Sequence, residues 1–365
     1  MAYEVVIVRS NAIIFDPRVR KISKSLAKKY NVLVLGWNRE SLPTSFFKME
    51  KNILVKLLRL KAPYGKIGLV AFYPIFWLWI TFNLFAYRPK YVHACDLDGM
   101  IPCYFYRIIF RRTLIFDSFD RYAMAFIPTK FHTLYMFVNN LENIFAKNAN
   151  VLIVVSPERL STFQNYKPLI TQIIMNCSDD EYYKKSDSQS TSRSEFNLVY
   201  AGIVTAERGL LFLINAINAI PRAKLLLAGR IYDKHIKNLW KNPKINYSGI
   251  LSPSRALCLE AEADVIAILY DPIIPINMVA NPNKLFEAMM LGKPVISNVC
   301  HDIITEENCG IIVNYDRSDI LKGLLLLYEN PSLRKKLGEN GRKAFERKYN
   351  WSIMENRLFE IYNKL

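Results

Sequence analysis

Short apolar runs alternate with helix-patterned segments along most of this 365-residue chain, and that alternation restricts the possible folds most. Residues 3–8 form the first run, a helix opens at Asp16-Pro17, and residues 32–35 form the next run. Further runs lie at 91–93, 114–116 and 151–155. Strands alternating with helices predict βαβ units and a parallel sheet. The pattern stops at 178–195, a stretch rich in Ser, Asp and Lys that reads as a linker or mobile loop. It resumes at 198–201, with a helix from Gly209 and runs at 224–228, 245–247, 265–269 and 294–297. The expected layout is an N-terminal α/β domain over 1–177, a linker over 178–195 and a second α/β domain over 196–345. A last helix over 346–365 is expected to pack back on the first domain. The length suffices for two separate cores.

Composition narrows the function. Six cysteines are scattered with no C-x-x-C pair, and none of the four histidines has metal-ligand spacing to a cysteine. These features suggest a reduced, cytosolic protein without structural zinc, and the first strand starts with no secretory signal ahead of it. Net charge is +17, with 24 Lys/Arg against 10 Asp/Glu in residues 1–175 and 25 against 22 in residues 176–365. The basic excess of the N-terminal half points to an anionic partner. A nucleic acid is disfavoured, since no RNP, KH, zinc-finger or helix-turn-helix signature is present and the basic residues flank very apolar segments.

Residues 67–87 carry no charge and include Phe72, Trp77, Trp79 and Phe82, a stretch long enough to span a bilayer. A span here would place the strands before and after it on opposite sides of the membrane and split one sheet. Two readings remain, a wholly buried helix or one seated in the membrane interface. Lys61, Lys66, Arg88 and Lys90 around it favour the interface, and Arg107, Arg111 and Arg112 extend the basic rim. The expected location is the inner face of a membrane, with peripheral attachment to anionic lipid.

The segment Asn281-Pro-Asn-Lys-Leu-Phe-Glu-Ala-Met-Met-Leu-Gly-Lys-Pro-Val-Ile296 is punctuated at both ends. Asn281 suits an N-cap, Pro282 the first helical position and Gly292 the C′ position, which predicts a helix of about three turns. Lys284 and Glu287 share a face near its opening. Backbone N–H groups and a cation for phosphate, with a carboxylate for sugar hydroxyls, would suit a nucleotide-sugar diphosphate. The spacing equally allows a surface helix with an i,i+3 ion pair. At Tyr200-Ala-Gly-Ile-Val-Thr-Ala-Glu-Arg-Gly-Leu210, Gly202 lets backbone approach a ligand and Arg208 sits at a helix mouth, suited to two diphosphate oxygens. Asp16 suits an N-cap, Val19, Ile22 and Leu26 a buried stripe, and Arg18 either a structural or a functional role. His93-Ala-Cys-Asp-Leu-Asp98 and Asp117-Ser-Phe-Asp120 follow strands at the carboxyl edge, where α/β sites lie.

The 281–296 segment resembles the C-terminal signature of retaining family-4 glycosyltransferases of the GT-B fold, two Rossmann-like domains with parallel sheets facing a cleft. Glu287 matches the second motif glutamate, whereas Val279 stands where the first would be. Arg208-Gly209 matches the family's Lys-Gly, with Ile203 in place of an earlier Arg. His93 and Asp96 match two positions of a His-x-His-Asp motif, with Cys95 between them, and Phe119 replaces a histidine. The resemblance implies a metal-independent, retaining transferase that uses a UDP- or GDP-sugar as donor substrate and needs no cofactor. It implies donor contacts from Gly202, Arg208, Asn281, Asn283, Lys284 and Glu287, and catalytic or acceptor contacts from His93, Asp96, Asp98 and Asp120. With the basic N-terminal half, the acceptor is expected to be a glycan, a polyprenyl-linked glycan or a glycolipid. The departures at Val279, Cys95 and Phe119 leave a catalytically lapsed GT-B scaffold as the alternative.

Overall fold

The computed structural model describes residues 3–11, 13, 16–39, 46–63, 67–128, 130–163, 169–180, 195–233, 236 and 241–365. Lys66 and residues 181–194 of the expected linker lie outside them. The chain divides into two compact units, Met1–Met175 with Met354–Leu365, and Asn176–Ile353.

The first unit runs β1 (Val5–Arg9), α1 (Pro17–Ala27), β2 (Val32–Asn38), β3 (Phe46–Glu50), β4 (Ile53–Arg59), α2 (Tyr73–Tyr87), β5 (Tyr91–Cys95) and α3 (Asp96–Phe110). It continues with β6 (Thr113–Ser118), α4 (Tyr122–Phe126), α5 (His132–Asn148), β7 (Val151–Val154), α6 (Pro157–Ser161) and β8 (Ile170–Ile173). The sheet order is β3-β4-β2-β1-β5-β6-β7-β8. Every pairing is parallel except β3 with β4. The expected strands are present, and the β3–β4 hairpin is an addition: β3 alternates exposed and half-buried residues, as an edge strand does.

Side chains alternate across a strand, so the sheet has two buried faces. Val6, Val8, Leu33, Leu35, Val92, Leu114 and Phe116 pack with α2, α3 and α5 in one core. The opposite face carries α1, whose Asp16 cap accepts a hydrogen bond from the Val19 N–H and whose Val19, Ile22 and Leu26 are fully buried, as expected. A 3₁₀ turn and α2 occupy the 67–87 segment, and Gly68–Tyr87 is long and apolar enough to cross a membrane by length and composition. However, β4 before it and β5 after it lie in one sheet. Tyr73, Phe76, Ile80 and Leu84 are buried while Ile75, Leu78, Phe82 and Phe85 are exposed, so the helix is half seated rather than wholly buried.

The second unit comprises β9 (Phe196–Ala201), α7 (Leu210–Ala219), β10 (Ala223–Ala228), β11 (Ile245–Tyr247), α8 (Pro253–Ala261), β12 (Val265–Ile268), α9 (Asn283–Met290) and β13 (Val295–Ser297). After these come α10 (His301–Glu307), β14 (Gly310–Ile312), α11 (Arg317–Glu329) and α12 (Pro331–Arg347). Its all-parallel sheet has the order β11-β10-β9-β12-β13-β14. The final helix, α13 (Trp351–Asn363), starts in this unit and from Met354 onward belongs to the first.

The signature helix differs from expectation at its start. α9 begins at Asn283, one residue late, with Pro282 in the cap position and no side-chain cap bond. Asn281 is instead buried, its side-chain oxygen accepting from the Asn176 N–H at 3.4 Å and its carbonyl from Asn176 Nδ2 at 3.2 Å. The stop is as read: Gly292, at φ +63°, donates to Met289 O at 3.1 Å and Lys293 to Ala288 O at 2.9 Å. Those two bonds make a Schellman motif.

Asp117, at the end of β6, is fully buried and holds two elements to its strand. Arg18 of α1 donates to Asp117 Oδ1 at 2.8 Å, and His93 Nε2 of β5 lies 3.2 Å from Oδ2. Burial raises the carboxyl pKa, but Arg18 and His93 outweigh it and hold Asp117 below the usual carboxylate range. A depressed pKa means the stabilisation is present above the ordinary carboxylate pKa and lost only in stronger acid. Asp117→Asn keeps the shape and removes the charge opposite Arg18; it should cost about 3–5 kcal/mol, the range for breaking a buried pair. Urea unfolding at neutral pH measures it.

Candidate functional site

In the C-terminal unit the chain leaves β9 through Gly202, at φ +153°, whose N–H donates to Ala228 O at 2.8 Å. Gly229, after β10, has φ +135°, and a Cβ there would lie 1.6 Å from Gly202 O. Two backbone turns meet here at a distance only glycine permits. A 3₁₀ turn, Ala206–Arg208, then leads through Gly209 at φ +66° into α7. The turn aims Arg208 at the end of β12: its guanidinium lies over the Tyr270 ring, 3.9 Å from the centroid, and reaches Asn277 Oδ1 at 3.5 Å. Asn298 clamps Tyr270, its Oδ1 accepting from the Tyr270 N–H and its Nδ2 donating to the Tyr270 carbonyl, both at 2.8 Å.

Lys284 rises from the first turn of α9 into the same cluster. Its Nζ is 5.4 Å from the Tyr200 ring centroid, and a Cβ on Gly202 would come within 2.7 Å of it. Burial alone would lower this ammonium pKa, but Tyr200, Tyr270, Glu260 and Glu287 together push it above its ordinary value. Lys284 is therefore a cation at neutral pH. Burial first, and Tyr270 second, raise the Tyr200 phenol to about 12 against the lowering pull of Lys284 and Arg208. The structure thus joins Gly202, Arg208, Lys284 and Glu287, places Asn283 at the first position of α9, and turns Asn281 into a buried backbone brace.

A second polar cluster lies in the N-terminal unit, at the carboxyl ends of β1, β5 and β6. Asp96, at φ +60°, accepts from the Phe119 N–H at 2.8 Å and the Asp120 N–H at 3.2 Å, and is ion-paired with Arg9. Burial raises its pKa to about 7 against the opposing pull of Arg9. Arg9 also donates to Asp16 Oδ2 at 3.0 Å. Asp98, 9% exposed, accepts from Ser10 Oγ and from the Tyr73 hydroxyl at 3.2 Å, while its Oδ1 has no partner among the described residues. Tyr73 and Tyr122 share a hydrogen bond of 2.8 Å. Asp120 is half exposed, with Arg159 3.2 Å away.

His93 lies below that edge, in the core. Its Nδ1 is 3.1 Å from the Tyr362 hydroxyl of α13 and its Nε2 faces Asp117, so both ring nitrogens are engaged in packing the sheet. Arg18 is likewise engaged, with Asp117 and with Ile174 O at 2.7 Å. Phe119, where the resembling motif has a histidine, lies under two guanidinium groups, Arg9 at 4.5 Å and Arg18 at 4.9 Å. Among the described residues no group of His, Cys, Asp and Glu is arranged to hold a metal ion. Sequence reasoning passed over Tyr200, Tyr270 and Glu260. The tyrosines had a positional signal at strand ends, whereas Glu260 had none.

Residues 195–330 match the family described as glycosyl transferases group 1. The whole chain is similar to sucrose-phosphate synthase from Thermosynechococcus elongatus, with 16% identity, TM-score 0.81, 99% of this chain and 98% of that chain covered. It is similar to HepE of Anabaena, solved with UDP and glucose, at 16% identity and TM-score 0.73 with both chains covered to 100%. A glycosyltransferase from Rickettsia africae gives 14% identity and TM-score 0.71, covering 100% of this chain and 98% of that one. The chain has the GT-B fold, and its match to the group 1 glycosyl transferases lies within residues 195–330. No curated protein sequence matches it.

Gly202→Ala tests how tightly this cluster is built. The added methyl meets Lys284 Nζ at a backbone angle that L residues rarely adopt. Lys284 must move and the backbone angle is strained for alanine, so urea unfolding should show a loss of about 1–3 kcal/mol.

Proposed function

We propose that this GT-B chain is a glycosyltransferase taking its sugar from a nucleoside-diphosphate sugar, with Arg208 and Lys284 as diphosphate ligands and Glu287 as acceptor for ribose hydroxyls. The observation that carries this reading is the convergence of two cations on aromatic rings beside the Gly202 backbone, at the carboxyl edge of a parallel sheet. In this reading the two cations neutralise the departing diphosphate, the work a divalent ion performs elsewhere, so the transfer needs no added metal. HepE's complex with UDP makes UDP the first base to test, with GDP the second. The anomeric configuration is retained, which NMR of the product reads. Asp96, Asp98 and Asp120 form the acceptor side, where the unpartnered Asp98 Oδ1 suits a sugar hydroxyl.

Lys284→Ala and Arg208→Ala should each lower turnover by roughly 10²–10³, the scale for one preorganised electrostatic contact. Release of nucleoside diphosphate from a panel of UDP- and GDP-sugars is the assay. Normal kcat/KM in either variant would remove that residue from the diphosphate site. No turnover by the parent chain with any donor would favour a lapsed scaffold.

The acceptor in this proposal is lipid-linked, and the chain works on an anionic membrane surface. The outer faces of α2, α3 and α5 support this: Leu78 and Phe82 are 71% and 72% exposed, and Phe105, Ile109, Leu134 and Phe137 are also exposed. The acids on those helices, Asp96, Asp98 and Glu142, are all buried, while Arg88, Lys90, Arg111, Arg112, Lys130 and Lys147 are exposed. Each basic residue near such a surface contributes on the order of 1 kcal/mol. The chain should float with liposomes containing anionic lipid at low salt and detach at high salt. Arg111→Ser with Arg112→Ser should reduce flotation; Arg107 stays unchanged because it braces Asn150 at 3.0 Å. Failure to float at low salt would favour a soluble acceptor.

A further inference from the structure

Glu260, in the last turn of α8, is 2% exposed, and its Oε2 has no hydrogen-bond partner among the described residues. α8 packs beside α9, and the charged groups acting on Glu260 are Glu287 and Lys284 of that helix. A buried carboxylate with an empty lone pair is a costly arrangement, and two carboxylates side by side in a dry site cannot both ionise. Glu287 is half-buried and Glu260 is not, so a single shared proton resides on Glu260. A protonated carboxyl is a donor, and Glu287 is the acid of the adjoining α9 that acts on it.

We propose that Glu260 is a positioning residue of the donor site, donating its proton in a hydrogen bond that holds Glu287 as one oriented anion. This rests on the donor-site reading above. The pair then carries one negative charge, which leaves the Lys284 ammonium balanced rather than overwhelmed, and a diphosphate is not repelled. Burial first, then Glu287, raise the Glu260 pKa well above its usual value, with Lys284 opposing. The other titratable groups around Lys284 are the phenols of Tyr200 and Tyr270.

The proton can be read without any ligand. An unfolded Glu loses its proton near pH 4.3, so a folded Glu260 that keeps it makes the fold less stable as pH rises, by about tenfold per pH unit in the unfolding equilibrium until its own pKa is passed. Glu260→Gln offers an N–H donor where the protonated acid offers its O–H, and it does not titrate. It should therefore gain stability over the parent steadily as pH rises from about 5. Parallel stability curves would overturn the shared proton.

Donor-site positioning has a separate readout, calorimetric titration with UDP and GDP. Glu260→Leu fills the same space without a donor and should weaken binding about tenfold or more, with Glu260→Gln restoring it. Raising pH through the second ionisation of the pair should weaken binding in the parent and leave Glu260→Gln unaffected. Equal affinity in the Leu variant would overturn the positioning role while the stability curves still report the proton. Failure of the parent to bind either nucleotide would overturn the donor site itself and the positioning role with it.

Discussion

The N-terminal unit depends on keeping one anion charged in a place with no water. Asp117 sits at the middle of the carboxyl edge with every surrounding element aimed at it: α1 through Arg18, β5 through His93, and α13 through the Tyr362 hydroxyl on the far side of the same imidazole. Such a network stabilises only as a whole, because removing one member leaves the others buried and unpaired. The cluster above it repeats the principle with Arg9 between Asp16 and Asp96. The result is a rigid edge on which Asp98 and Asp120 are presented.

The two units treat their cations differently, and the difference indicates which ones are available to a ligand. Arg9 and Arg18 are engaged by carboxylates. Arg208 lies on a tyrosine ring and Lys284 near another, contacts that orient a cation, with Glu260 and Glu287 also acting on Lys284. A guanidinium stacked this way keeps its N–H groups around the rim, where a bidentate anion can meet them. The basic excess lies in the N-terminal half, yet in the function proposed above the cations that meet phosphate lie in the other unit.

Much of this architecture is legible in the chain. Parallel strands buried on both faces are short and apolar, so β1, β2, β9 and β10 stand out, and Gly292 marks the end of α9 because only a residue tolerant of positive φ closes that motif. The β3–β4 hairpin was hidden because β3 alternates like an edge strand and Ile53–Arg59 has a lysine in its centre. The start of α9 was misread because Asn281 has the right side chain for a cap but spends it on Asn176. Arg208, Lys284 and Glu287 could be found by spacing and resemblance. Their aromatic and carboxyl neighbours could not, because Tyr200, Tyr270 and Glu260 are brought in by tertiary packing from three separate segments.

The course of α13 bears on how the chain can fold. Helix α13 begins with Trp351 in the second unit, and its Met354, Leu358, Ile361 and Tyr362 are core residues of the first. The first unit is thus closed by residues that follow the whole of the second in sequence. Sheet β1 to β8 can assemble early, but the face around His93 and Tyr91 lacks its Tyr362 cover until the second unit has been made. Domains of a growing chain ordinarily fold in order, N-terminal first. Here the first unit waits for the second, and its final contacts join residues almost the full chain length apart, which places completion of the N-terminal core among the slow, late events of folding.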